Sequence, residues 1–333
     1  MKFHNIRFGI IKHRKILIKF LKTMSLLKVI NYIGIMAEGR LLAGTCRFKP
    51  YVATIETSRN CNLTCRFCQT IQARSSFKRE YLDYNVYRKF VDENPQVLFL
   101  FFAGNGEPSL HPELSGMIDY AKDRNIITVL LTNGTIALDE TISPDFLVFS
   151  LDYLNREDYQ SFKGRDYFDL CTRNIKDYNN RKHKDTLTYL QFFIHEYEKV
   201  SREEFTTIAR VLGCDSVILK YPIVYVDGFD TESNLKRMLF LQSKSTAPLA
   251  CSYIYYQAYL TAEGLIAVCC LDVNRDIVLG DCKVSTFSAI WNSPDFKSIR
   301  EINRGDGNVL DLCRHCPKSH ERSPFVEVIS DLK

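Results

Sequence analysis

The sequence predicts an α/β fold, a partial (β/α)6 barrel followed by a small cysteine-rich C-terminal domain, and three observations carry that prediction. Short β-rich runs alternate with helical stretches from residue 51 onward, the pattern of βαβ units and a parallel sheet. Several runs, such as Val97-Leu98-Phe99-Leu100-Phe101-Phe102, are apolar throughout, as strands covered on both faces require. After about residue 228 the alternation stops, and Cys251, Cys269, Cys313 and Cys316 follow.

In chain order, residues 1–47 read as a basic helical extension. Lys12, Lys15, Lys19 and Lys22 recur at helical spacing while Leu17, Phe20, Leu21 and Met24 fall on another side, the signature of an amphipathic helix. Its apolar face is expected to cover the main domain; contact with an anionic membrane surface or an acidic partner is the alternative. Residues 48–229 form the barrel, with strands at 51–57, 97–103, 127–132, 146–151, 187–194 and 217–225. Helices are expected around 84–93, 112–124, 168–181 and 201–212. Residues 230–250 read as a linker with a helix, 251–320 as the second domain and 321–333 as a tail.

The chain has 333 residues, 46% of them apolar, enough for a sizeable core. Its twelve cysteines come with no signal peptide and no long uncharged apolar run, which argues against a secreted disulfide scaffold and a membrane span. A cytoplasmic protein whose thiols hold metal is the expectation. Residues 1–45 carry nine Lys/Arg against the single acid Glu38, leaving 35 basic and 38 acidic residues elsewhere. The near-neutral body offers no basic stripe, so nucleic acid is not an expected partner.

The first chemical motif follows the first strand. Cys61-Asn62-Leu63-Thr64-Cys65-Arg66-Phe67-Cys68 places three thiols within eight residues, which can ligate one metal centre while leaving a four-iron cluster one iron without a protein ligand. A zinc site borrowing His111 is the competing reading, although zinc sites usually pair C-x2-C units. Gly104-Asn105-Gly106-Glu107-Pro108 follows the second strand; glycines allow close backbone approach and the carboxylate is an acceptor for an ammonium group. Asn133 ends the third strand, and Ser150 and Asp152 the fourth, where hydroxyl and carboxylate groups suit a ribose. In the second domain four thiolates, including the C-x2-C pair Cys313 and Cys316, suffice for a complete cluster or a zinc tetrahedron.

The C-x3-C-x2-C motif after a first strand resembles the signature of the radical S-adenosylmethionine (SAM) superfamily, and the fold is then a partial (β/α)6 barrel of the radical SAM type. The resemblance implies a [4Fe-4S] cluster on Cys61, Cys65 and Cys68, with SAM chelated to its unique iron and cleaved to a 5′-deoxyadenosyl radical. Gly104 to Pro108 resembles the family's G-G-E-P motif, with Asn105 in place of one glycine; with Asn133, Ser150 and Asp152 it is expected to bind SAM. The C-x17-C spacing, Ile290-Trp291-Asn292-Ser293 and the closing C-x2-C are similar to the SPASM/Twitch region. They imply a second auxiliary iron-sulfur cluster on Cys251, Cys269, Cys313 and Cys316, with Cys270 an alternative to Cys269. Four cysteines instead of seven place the chain nearer the one-cluster Twitch type.

The implied activity is an oxidoreductase in which the radical abstracts a substrate hydrogen and the remaining electron passes to the auxiliary cluster. A small polyol or sugar-like metabolite is the expected substrate, and a reductase such as flavodoxin or ferredoxin the electron donor. A peptide maturase or epimerase is the second reading, and a non-catalytic zinc protein the third. Glu196, Lys220 and Tyr221 are candidate bases, and Cys282 a candidate hydrogen donor.

Overall fold

The computed structural model describes residues 14–66, 68, 70, 80–194, 201–220, 251–304, 310–314, 325–330 and 332. The single helix expected near the N-terminus is two, α1 (Arg14–Thr23) and α2 (Leu26–Arg40), broken at Ser25, whose hydroxyl caps α2 by accepting from Lys28 N. Six strands follow: β1 (Val52–Ile55), β2 (Phe99–Phe102), β3 (Ile127–Thr132), β4 (Phe146–Asp152), β5 (Leu187–Phe193) and β6 (Ser216–Lys220). They pair in parallel and in sequence order. Their connecting helices are α3 (Tyr84–Asp92), α4 (Leu114–Asp123), α5 (Arg156–Lys163), α6 (Phe168–Arg181) and α7 (Arg202–Val211). The sequence expectation omits α5 because only Tyr159 and Lys163 of its eight residues are buried, too few to set a helical apolar period.

The register sorts side chains onto two faces. Ala53, Ile55, Leu100, Phe102, Leu130, Leu147, Phe149, Leu190, Phe192 and Leu219 alternate onto one face, are almost fully buried, and form the core beneath the helices. Thr54, Phe101, Leu131, Ser150, Gln191, Phe193 and Lys220 alternate onto the other. Several of these, including Phe101, Leu131, Phe193 and Lys220, are half-buried near the C-terminal ends of their strands, which marks the concave face of the barrel.

The cysteine-rich region does not build a detached sheet. After α8 (Tyr253–Tyr256), strand β7 (Gln257–Leu260) pairs in parallel with β1, and β8 (Leu265–Ala267) and β9 (Val278–Asp281) extend the edge antiparallel. The expected tail contains β10 (Phe325–Ile329), antiparallel to β6 at the opposite edge. The result is one ten-stranded sheet with order β10-β6-β5-β4-β3-β2-β1-β7-β8-β9. Between β9 and β10 lie α9 (Phe287–Trp291), α10 (Pro294–Ile302) and α11 (Asp311–Arg314). The Ile290-Trp291-Asn292-Ser293 motif staples this region to the segment before β1. Trp291 Nε1 donates to Phe48 O at 2.8 Å, and Asn292 exchanges two hydrogen bonds with the Cys46 backbone. The fully buried Arg300 lies 4.3 Å over the Trp291 ring, a cation–π contact.

Candidate active site

The thiol loop leaves β1 at the C-terminal end of the sheet and is strapped on three sides. On the β2 side Glu107 N donates to Asn60 O at 2.6 Å. A Cβ on Gly106 would sit 1.9 Å from Ser58 O, so the two backbones meet at a distance only glycine permits. On the β3 side Asn133 donates to Asn62 Oδ1 at 3.0 Å and lies 3.9 Å from Cys61 Sγ, while Asn62 donates to Thr135 Oγ1 at 2.7 Å. On the β4 side Thr64 N and Arg66 N donate to Lys163 O and Phe162 O at the end of α5. Gly164, at φ 71°, ends that helix with its Cα against Thr64. Leu63, 1% exposed, anchors the loop's centre, and Cys61, Cys65 and Cys68 stay half-buried around it.

Two polar groups converge on these thiols. Lys163 is fully buried, ion-paired with Asp152, donates to Ser150 O at 3.0 Å and acts electrostatically on Cys65. Burial opposes its charge, but Asp152 together with the neighbouring Cys65 and Cys171 outweighs that and lifts the ammonium above its ordinary value. Asp152, at φ 68°, also accepts from Gln191 Nε2 at 2.7 Å, and the same nitrogen donates to Ser150 Oγ at 3.1 Å. Sequence reasoning missed Lys163, because a lysine in a polar helix reads as solvated until the fold buries it.

Glu107, the expected ammonium acceptor, is buried. It is 3% exposed and accepts from Ser109 N, Ser109 Oγ, Thr132 Oγ1 and Asn133 N, tying the β2 loop to the end of β3. Asn105 turns toward the second region, donating to Tyr259 Oη at 3.2 Å and Cys270 O at 3.3 Å.

Asn105 belongs to a buried network that joins the two cysteine regions. Glu56, 1% exposed directly after β1, accepts from Asn105 N, Tyr259 Oη and Arg275 at 2.6 Å. Arg275 also lies 3.7 Å from Glu263, and Glu263 pairs with Arg59, two residues before Cys61. Arg59 donates in turn to Val273 O. Two arginines and two glutamates alternate here, so each buried charge faces an opposite one.

In the second region Cys251, Cys269 and Cys313 line one cavity with Val268, Leu271 and Leu310. Cys251 is held by paired hydrogen bonds with the Asn303 side chain. Cys270 is absent from that lining. Its carbonyl accepts from Asn105, and its thiol acts on Tyr259. Cys316, Glu196 and Tyr221 lie outside the described residues. Lys220 sits at the end of β6 on the concave face, 5.0 Å from the Phe193 ring centroid. The structure does not bring Cys282 to the site. It is 2% exposed beside α3, where Lys89 donates to its carbonyl at 2.8 Å and burial pushes its thiol up to about 12.

The donor set fits an iron-sulfur cluster. Burial pushes the Cys65 thiol up to about 12, so the bare loop holds it protonated and a strongly positive centre is required to make it a thiolate ligand. The Asn133 amide and the Lys163 ammonium then stand where they stabilise sulfur-borne negative charge.

A parallel half-barrel thus carries three thiols on the loop after its first strand, and a second thiol-lined cavity lies on the same sheet, although among the described residues no three metal-ligating side chains are drawn together into a finished metal cage. The "Radical SAM superfamily" model matches residues 55–206 and the SPASM "iron-sulfur cluster-binding domain" model residues 251–317. The chain carries a radical SAM domain followed by a SPASM-type iron-sulfur cluster-binding domain. It is 30% identical over 115 residues to the tungsten-containing aldehyde ferredoxin oxidoreductase cofactor-modifying protein of Pyrococcus furiosus, covering 30% of each chain. It is 26% identical over 140 residues to the mycofactocin maturase of Mycolicibacterium smegmatis, covering 39% of this chain and 35% of that protein. The matched stretches thus span less than half of those relatives. Streptococcus suis SuiB bound to S-adenosylmethionine shares the fold, with TM-score 0.58 at 16% identity, over 76% of this chain and 68% of that one.

Proposed function

We propose that this enzyme oxidises a carbon–hydrogen bond of a peptide substrate and delivers the remaining electron to the auxiliary centre. The SAM-bound cluster supplies the 5′-deoxyadenosyl radical, chemistry that side chains cannot generate. Cys61, Cys65 and Cys68 hold that cluster, with Asn133 and Lys163 supporting its sulfur ligands. Ser150 and Gln191 offer a hydroxyl and an amide to the ribose. Cys251, Cys269, Cys313 and Cys316 hold the auxiliary cluster.

The observation that carries the reading is the continuous connection between the two cysteine sites: one sheet and one buried ion network join the loop of Cys61 to the loop of Cys269 and Cys270. A rigid link of that kind suits electron transfer, which depends on a constant separation. The concave face has room for an apolar peptide side chain beside the polar groups of Ser150, Gln191 and Lys220. Phe101, Leu131 and Phe193 supply the apolar part of that face. The likeness to a mycofactocin maturase, and to the fold of SuiB, which was solved bound to its precursor peptide, supports a maturase reading.

The test uses anaerobically reconstituted protein with SAM and dithionite. The wild type forms 5′-deoxyadenosine, and the Cys61→Ala/Cys65→Ala/Cys68→Ala variant forms none; retained cleavage in that variant sinks the assignment. A synthetic peptide library that accelerates 5′-deoxyadenosine formation, with aminocyclitols and sugars inert, supports the peptide reading. Acceleration by the polyols alone overturns it in favour of the small-metabolite oxidoreductase.

A further inference from the structure

We propose that the outward face of α2 docks the enzyme onto an anionic membrane surface, with the catalytic end of the barrel facing away from the lipid. The inference rests on the N-terminal helices alone and is independent of the substrate.

α2 is apolar on both sides. Its inner face packs under the barrel: Ile35 is fully buried, Tyr32 meets Tyr51 edge-on at 4.9 Å, and the buried Lys28 donates to Asn125 O at 2.6 Å. Its outer face carries Leu26, Ile30, Ile33 and Leu41, exposed by 75, 52, 63 and 78%, with Leu27 beside them. These positions and Ala37 follow one another at spacings of four, three, four and four residues, a single stripe about 22 Å long at 1.5 Å per residue. Leu21 of α1, 62% exposed, adds to it. A surface helix normally turns polar residues outward, and a continuous exposed apolar stripe marks an interaction face.

Charge selects the occupant. The bordering residues Lys22 and Arg40 are exposed cations, and of the nine basic residues in 1–45 Lys19 is paired with Asp145 and Lys28 is turned inward, leaving seven against the single acid Glu38. A second copy docking face to face would set two such segments against each other, which like-charge repulsion opposes. An apolar ridge rimmed by cations is instead the chemistry that inserts among acyl chains and meets anionic headgroups. Among the described residues no helix is long and apolar enough to cross a membrane, so the contact is interfacial.

The orientation follows from the packing. α1 and α2 contact Tyr51, Phe99, Asn125 and Asp145, which lie at or just before the N-terminal ends of β1, β2, β3 and β4. The thiol loop leaves the opposite end of the same strands. A membrane under α2 therefore leaves the mouth of the site open to water.

The experiment is flotation of the full reconstituted chain with vesicles of phosphatidylglycerol and phosphatidylcholine, and with phosphatidylcholine alone. The Ile30→Glu/Ile33→Glu variant changes only exposed side chains, and circular dichroism and iron content verify its fold. The expected result is binding to the anionic vesicles that weakens in high salt and falls about tenfold or more in the variant. Three results overturn the proposal: no flotation of the wild type, equal flotation of the variant, or a vesicle-free dimer by light scattering that the same substitutions dissolve. Capture of polyglutamate without vesicle binding also overturns it and assigns the face to an acidic protein partner.

Discussion

Replacing Arg275 with methionine tests whether the buried ion network is the strut that joins the two cysteine regions. The side chain is 7% exposed and donates to Glu56, whose own side chain is fully buried. Burial works against the guanidinium, but Glu56, Tyr259 and Glu263 together outweigh it and raise Arg275 above the ordinary arginine range, so the charge persists at every accessible pH. Methionine keeps much of the volume and removes the cation, leaving an uncompensated carboxylate in the core. Losing one partner of a buried pair costs about 3–5 kcal/mol. Glu56 retains the Tyr259 hydroxyl and the Asn105 amide as donors, which places the expected loss near the lower end, about 3 kcal/mol. Urea unfolding of the metal-free chain measures it. Glu56→Gln in the Arg275→Met background is expected to return about half of the loss, a coupling that a double-mutant cycle isolates. The auxiliary iron should also leave the variant before the iron at Cys61, Cys65 and Cys68. A loss below about 1 kcal/mol, or no coupling to Glu56, would refute the strut.

Gly106→Ala should lower iron retention at the first site and SAM cleavage with it, because the new methyl lies 1.9 Å from Ser58 O; quantifying iron and 5′-deoxyadenosine checks this. Cys313→Ala should remove the auxiliary iron while SAM cleavage persists, read by iron analysis and electron paramagnetic resonance; loss of both clusters would contradict separate sites. Lys28 carries a pH signature: burial lowers it from 10.5 to about 8, so between those values the unfolded chain binds more protons than the folded one. The stability of the wild type relative to Lys28→Met should therefore rise as pH increases from about 8 toward 10, and a flat difference in thermal midpoints would show that Lys28 is not held in that environment.

Much of the site was legible because its information is local. The spacing of Cys61, Cys65 and Cys68, the Gly104 to Pro108 loop and the apolar period of β3 and α6 each lie within a few residues of chain, and the strands and helices built on them fall near their expected positions. What the sequence could not state depends on contacts between distant segments. Glu56 and Arg275 are 219 residues apart, and no spacing rule connects them. Cys269 and Cys270 are neighbours with different surroundings: Cys269 lines the cavity with Cys251 and Cys313, whereas the Cys270 carbonyl accepts from Asn105, 165 residues away in the chain. The burial of Lys163, the burial of Glu107 and the packing of Cys282 beside Lys89 have the same origin. Residue type and local period determine what a segment can form, whereas the facing of each side chain is set by register, and register is settled only when all ten strands share one sheet.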